Sequence, residues 1–165
     1  MSESTSYMFA LDADPYVLGA WIVGTVNAAA AALGLFLWFL GRPGKLFWWP
    51  ARAGQGIAAA YAVFCGIYAV VAEPPADGLV WVYILTPIAV SYFAEQLRLV
   101  AAQTVLERHG FESAAALRAS VTSTDADGER LATGIAHEVV LREMAVVATA
   151  AGVIAFLAWR AVLTG

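Results

Sequence analysis

The sequence is short of charge, of lysine and of cysteine. Only 13% of its 165 residues are Asp, Glu, Lys or Arg, where a soluble domain carries about 25%. Hydrophobic residues reach 61% against a usual share of about 45–50%, and mean hydropathy is +0.72. Such a balance excludes an ordinary soluble globule. With Cys65 alone, neither an intrachain disulfide nor a cysteine metal cluster can form. Lys45 is the single lysine beside eight arginines, and the net charge is −4, so no basic surface points to a nucleic-acid partner. No Lys or Arg precedes Arg42, which argues against a cleavable signal peptide, since such peptides open on a positive segment. Residues 1–15 are therefore expected to form a translocated, retained outer tail.

What is present is apolar length. Four stretches, residues 16–40, 54–72, 79–97 and 144–163, each approach or exceed the roughly 20 residues that cross a bilayer. The expected fold is all-α: a single four-helix membrane domain over 1–165, with two of its helices extended into the cytoplasm. Asp14-Pro15 supplies a capping carboxylate and a helix-compatible proline at the first start. Gly41-Arg-Pro-Gly44 closes that span, and residues 73–78 form a Pro-rich turn that makes spans two and three a hairpin. The Leu46–Pro50 stretch reads as an interfacial segment, with Pro50 opening span two.

Eight of the nine cations lie in the first connection and in the region between spans three and four; only Arg160 falls on the other side. By the positive-inside rule both termini are outside, in a multi-pass protein of the plasma membrane. Aromatic belts agree. Tyr16, Trp21, Tyr68, Trp81, Tyr83 and Trp159 mark outer ends, and Trp38, Phe47, Trp48, Trp49, Tyr92 and Phe93 inner ones. The acidic segments Asp12/Asp14 and Asp125/Asp127/Glu129 would suit a halophile.

Residues 98–143 form the cytoplasmic helical insertion. Span three is expected to continue as a helix to Gly110, followed by a short helix near 112–119 and a polar loop over 120–128. A last helix capped by Asp127 then carries Leu131, Ile135 and Val139 on one face and a Glu138–Arg142 pair. The two protruding helices pack on each other or on a partner.

Chemistry is sought first as ionisable groups deep in the membrane, where they mark ion routes. The midplane positions are Asn27, Cys65, Pro87 and Gly152, none of them ionisable. Asn27, with Thr86 and Ser91 as weaker company, is expected to bond across helices. Glu95 and Arg98, spaced i, i+3 at the inner edge of span three near Tyr92, read as an interfacial ion pair, or as a gate or headgroup contact. Neither His109 nor His137 lies in a span, so no intramembrane haem is expected; paired protruding helices would bring the two together. His137-Glu138 lacks the second histidine of a zinc motif, since Leu141 holds its place, and Asp125-x-Asp127-Gly128 fails as a calcium loop because Gly134 stands where the glutamate belongs. No cofactor, metal or catalytic residue is assigned.

Small residues recur at four-residue spacing: Ala20, Gly24, Ala28 and Ala32; Ala58, Ala62 and Gly66; Ala148 and Gly152. They let helix backbones approach closely in lipid. The functional expectation is a non-catalytic membrane protein acting by helix association, as an accessory or assembly subunit or a homo-oligomer, with the bilayer and a membrane-protein partner or second copy as its contacts. One alternative is a small transporter or channel, with a pathway between protomers lined by Asn27, Thr86 and Ser91. Another is a quinone- or lipid-handling enzyme using Glu95, Tyr92 and a Trp48/Trp49 shelf.

Overall fold

The computed structural model describes residues 14–72, 74–75, 77–122 and 126–164. Five helices account for nearly all of them: α1 (Pro15–Phe39), α2 (Lys45–Val71), α3 (Leu79–Arg108), α4 (Ala114–Thr122) and α5 (Ala126–Thr164). The described residues contain no strand, and α1, α2, α3 and α5 are long and apolar enough to cross a membrane. The expected tail lies outside the described residues except for Asp14 and Pro15.

The helix ends follow from local chemistry. Asp14 Oδ1 accepts from the Tyr16 amide at 2.9 Å, with Pro15 in the first turn, where its missing N–H costs nothing. α1 and α3 end alike. Gly41 (φ +63) and Gly110 (φ +80) take the left-handed conformation. In each, the amide two residues past the cap reaches back five: Arg42 to the Leu37 carbonyl at 3.0 Å, Phe111 to that of Leu106 at 2.9 Å.

Three expectations are corrected. α2 starts at Lys45, so Leu46–Pro50 is its first turns and not a separate interfacial segment, and Pro50 lies inside the helix. Proline is tolerated there because it removes a single bond near the N-terminus, that to the Leu46 carbonyl. α4 continues to Thr122 and α5 begins at Ala126, which leaves little of the loop expected over 120–128. Asp127 is therefore not the cap but sits with Glu129 inside the first turn of α5, where both still favour the positive end of the helix.

At 1.5 Å per residue, α3 extends for about 45 Å and α5 for about 58 Å, well beyond roughly 30 Å of hydrocarbon. Both project from the bundle at the end that carries Arg42, Lys45 and Arg52. There they pack on each other, with α4 laid across them. Val105, Leu106, Leu117 and Ile135 form a small core, supported by Phe111, Ala132 and Val139. Within the bundle α5 is the hub, packed along both α1 and α3, while α2 leans mainly on α1. Tyr16, Tyr61, Cys65, Ile84 and Ile154 gather all four spanning helices at the cation-poor end; Phe47, Met144 and Ala148 build a second core at the cation-rich end. The outside is greasy: Val63, Val70 and Phe156 are 62%, 89% and 61% exposed, as lipid-facing residues should be.

The small-residue faces turn inward along a different line from the one expected. On α1 the buried positions are Ala20, Val23, Gly24, Asn27, Ala30, Ala31 and Gly34, whereas Ala28 is half-buried and Ala32 exposed. Four residues turn a helix through 400°, so a strict four-residue repeat drifts by 40° per step. Alternating steps of three and four stay on one face. Ala58 and Ala62 on α2 and Ala148 on α5 are buried as well, while Gly66 and Gly152 are half-buried. Gly34 marks a close crossing: a side chain there would meet Phe47 and the Ala148 Cβ.

Candidate functional site

Polar side chains are few in the spans, and the buried one, Asn27, can be followed to its partners. Asn27, 1% exposed, donates through Nδ2 to the Val23 carbonyl one turn back at 2.9 Å and to the Gly54 carbonyl of α2 at 3.2 Å. It bonds across helices, as its sequence position led us to expect. Among the described residues its Oδ1 has no hydrogen-bond partner; it lies against Gly54, where a Cβ would come within 2.7 Å of it. Glycine is needed at 54 for this approach. A second tie between α1 and α2, which the sequence did not reveal, runs from the Tyr61 hydroxyl to the Tyr16 carbonyl at 2.7 Å.

The other midspan hydroxyls serve their own helix. Thr86 donates to the Val82 carbonyl at 2.6 Å and Ser91 to the Pro87 carbonyl at 2.8 Å. Asn27 faces α2 inside the protomer while Thr86, half-buried, bonds only its own helix α3, so no hydrogen bond links these residues.

The charged residues converge at the cation-rich end. Arg52 of α2 grips Glu95 of α3 with both guanidinium nitrogens, at 2.6 and 3.1 Å. Gln55 bridges the same pair, accepting from Arg52 at 2.8 Å and donating to Glu95 at 3.2 Å. Arg98 meets Glu95 at 3.3 Å, confirming the pair expected from the i, i+3 spacing, and approaches Glu143 of α5 at 3.8 Å. The Trp48 ring lies 5.5 Å from the Arg98 guanidinium carbon and 6.0 Å from that of Arg52, within cation–π range. Arg98 Nε is buried without a hydrogen-bond partner among the described residues. The cluster is thus two guanidiniums, two carboxylates, an amide and an indole, drawn from α2, α3 and α5.

Only Glu95, Arg98 and Trp48 of this set were named from sequence. Arg52, Gln55 and Glu143 were missed as members, although Arg52 and Glu143 stand immediately beside the apolar stretches 54–72 and 144–163. Tyr92 and Trp49 do not join: Tyr92 stacks edge-on against Phe93 at 5.7 Å and Trp49 is 80% exposed. The expected shelf is therefore divided, with Trp48 inside the cluster and Trp49 outside it.

Beyond the spans, Glu138 receives Arg108 at 3.3 Å and His109 at 3.2 Å rather than pairing with Arg142. The His109 contact, and after it the Arg108, His109 and Arg142 charges, hold the Glu138 carboxyl below its ordinary range against a smaller opposing effect of burial. His137 Nε2 lies 2.9 Å from the Gly41 carbonyl, tying α5 to the end of α1. The two protruding helices pair, yet the histidines have separate partners, because neighbouring positions on a helix point about 100° apart. Among the described residues no group of three or more His, Cys, Asp or Glu could hold a metal ion.

Chemically, the cluster can fix helix positions and meet lipid headgroups. Both of its carboxylates face guanidiniums. The chain matches no family model, no curated protein and no solved structure.

Proposed function

We propose that the chain is a non-catalytic multi-pass protein of the plasma membrane that acts by helix association, as an accessory or assembly subunit or a homo-oligomer, with both termini outside and the protruding helices as a docking surface. The orientation rests on the gathering of eight of nine cations towards one end of the bundle.

The observation that carries the association reading is the outer face of α2. Ala53, Gly56, Ala60, Val63 and Ile67 are all exposed, at alternating steps of three and four that hold them on one stripe. Its cation-rich half is made of small residues, and nothing lies within 4 Å of a side chain built at Gly56. Such a stripe lets a further helix approach closely in lipid, while the inward faces of the bundle are already occupied. A pathway between protomers would have to do without Asn27, which faces α2.

Gly56→Leu tests this cleanly, since the space around it leaves the protomer undisturbed. Solubilised in mild detergent from native membranes, the wild-type protein should run as a stoichiometric assembly by light scattering, with mass spectrometry giving its composition. Gly56→Leu should release the protomer with unchanged helix content. A wild-type monomer, or an assembly indifferent to the substitution, would count against the reading.

A further inference from the structure

We propose that the groove left open between α1 and α3 over α5 is a binding site for one anionic phospholipid, with an acyl chain along the groove and the phosphate on Arg142. α1 and α3 both pack on α5 but hardly touch each other, and towards the cation-rich end this leaves an apolar channel of about 610 Å³. Trp38 of α1 and Phe93 and Leu97 of α3 wall it; Val146, Thr149 and Val153 of α5 form its floor. The Thr149 hydroxyl donates to the Ala145 carbonyl of its own helix at 2.8 Å, so the floor offers mainly alkyl surface and its hydroxyl proton is already engaged.

Arg142, Val146, Thr149 and Val153 are spaced four, three and four, which places them on one stripe of α5. From Arg142 to Val153 the stripe runs about 16 Å, close to half of the roughly 30 Å hydrocarbon layer, the depth of one leaflet. Arg142 is exposed and stands next in sequence to Glu143, a member of the charged cluster, and so at the same depth. Among the described residues it makes no direct ion pair: its charge acts on Glu138, one turn away, but that carboxylate is engaged by Arg108 and His109.

Charge decides the occupant. A second copy of this chain would bring no free carboxylate to that depth, since Glu95 and Glu143 face Arg52 and Arg98. An apolar helix of another protein would leave the guanidinium without a direct counter-ion. A lipid with an anionic headgroup supplies both the alkyl chain and the phosphate.

The test uses the full-length protein, delipidated in detergent and titrated with dioleoyl phosphatidylglycerol or dioleoyl phosphatidylcholine, with bound lipid counted by native mass spectrometry. Wild type should prefer the phosphatidylglycerol about fivefold, the worth of one interfacial arginine. Arg142→Gln, at an exposed position, should bind both lipids equally. Thr149→Phe, which fills the floor from an exposed position, should lose both. Equal binding by wild type, or a preference that survives Arg142→Gln, overturns the proposal. So does disulfide linkage between two Val146→Cys chains in native membranes, because it puts a second copy in the groove.

Discussion

Asn27 illustrates what one amide does in an apolar bundle. In lipid no water is available, so the side chain bonds its own helix and the neighbouring backbone at once. The net worth of such a bond is modest, and Asn27→Leu should destabilise the bundle by about 1 kcal/mol in a reversible unfolding measurement in detergent. Gly54→Ala should cost more, about 2 kcal/mol, because the new methyl overlaps Asn27 Oδ1. Combining Gly54→Ala with Asn27→Ala should recover part of that loss, as expected for residues in direct contact. If the two substitutions simply add, steric opposition between them is not the cause. The polarity of Asn27 was legible in the sequence. Its partner was not, since Gly54 contributes a backbone carbonyl and the lack of a Cβ, neither of which has a hydropathy signature.

At the scale of elements, the ends of α3 and α5 are joined through Glu138. A carboxyl whose folded pKa lies below its unfolded value adds stability that is fully present above that unfolded value, 4.5, and is lost as pH falls through the folded one. Lowering the pH through and below 4.5 should therefore loosen the α3–α4–α5 protrusion before the spans, visible as faster amide exchange at Arg108 and His109. In Glu138→Gln that acid-dependent step should be absent; its persistence would place the titrating group elsewhere. The sequence assigned Glu138 to Arg142 by i, i+4 spacing. The structure gives it to Arg108 and His109 because α3 ends over this part of α5, a crossing that no periodicity within α5 encodes. The start of α2 was misplaced for a related reason, since Pro50 looks like a boundary and is tolerated near a helix start.

For the whole molecule, the proposed orientation puts the 73–78 turn outside and the α4 region inside. A cysteine at Asp77 should react with an impermeant maleimide on intact cells, and one at Arg118 only after permeabilisation, with buried Cys65 silent in both. The opposite pattern would reverse the topology without altering the fold. Hydrophobic length was enough to count the spanning helices, and the punctuation at Asp14, Gly41 and Gly110 placed the start of α1 and the ends of α1 and α3, because a bilayer demands about 20 apolar residues and closed backbone hydrogen bonding.

Those demands are local and leave their mark in sequence, so the all-helical class, the four spans and the protrusion of two helices were determined by sequence alone. Which helix faces which was decided only in three dimensions. In lipid the whole exterior of a helix is apolar, so hydropathy does not separate Ala20, which is buried, from Ala32, which is not. Only packing does. The same holds for the charged cluster: Glu95 and Arg98 were visible as neighbours in the chain, whereas Arg52, Gln55 and Glu143 became part of it once three helices met. The groove over α5 is an outcome of that meeting too, since it exists only where α1 and α3 part.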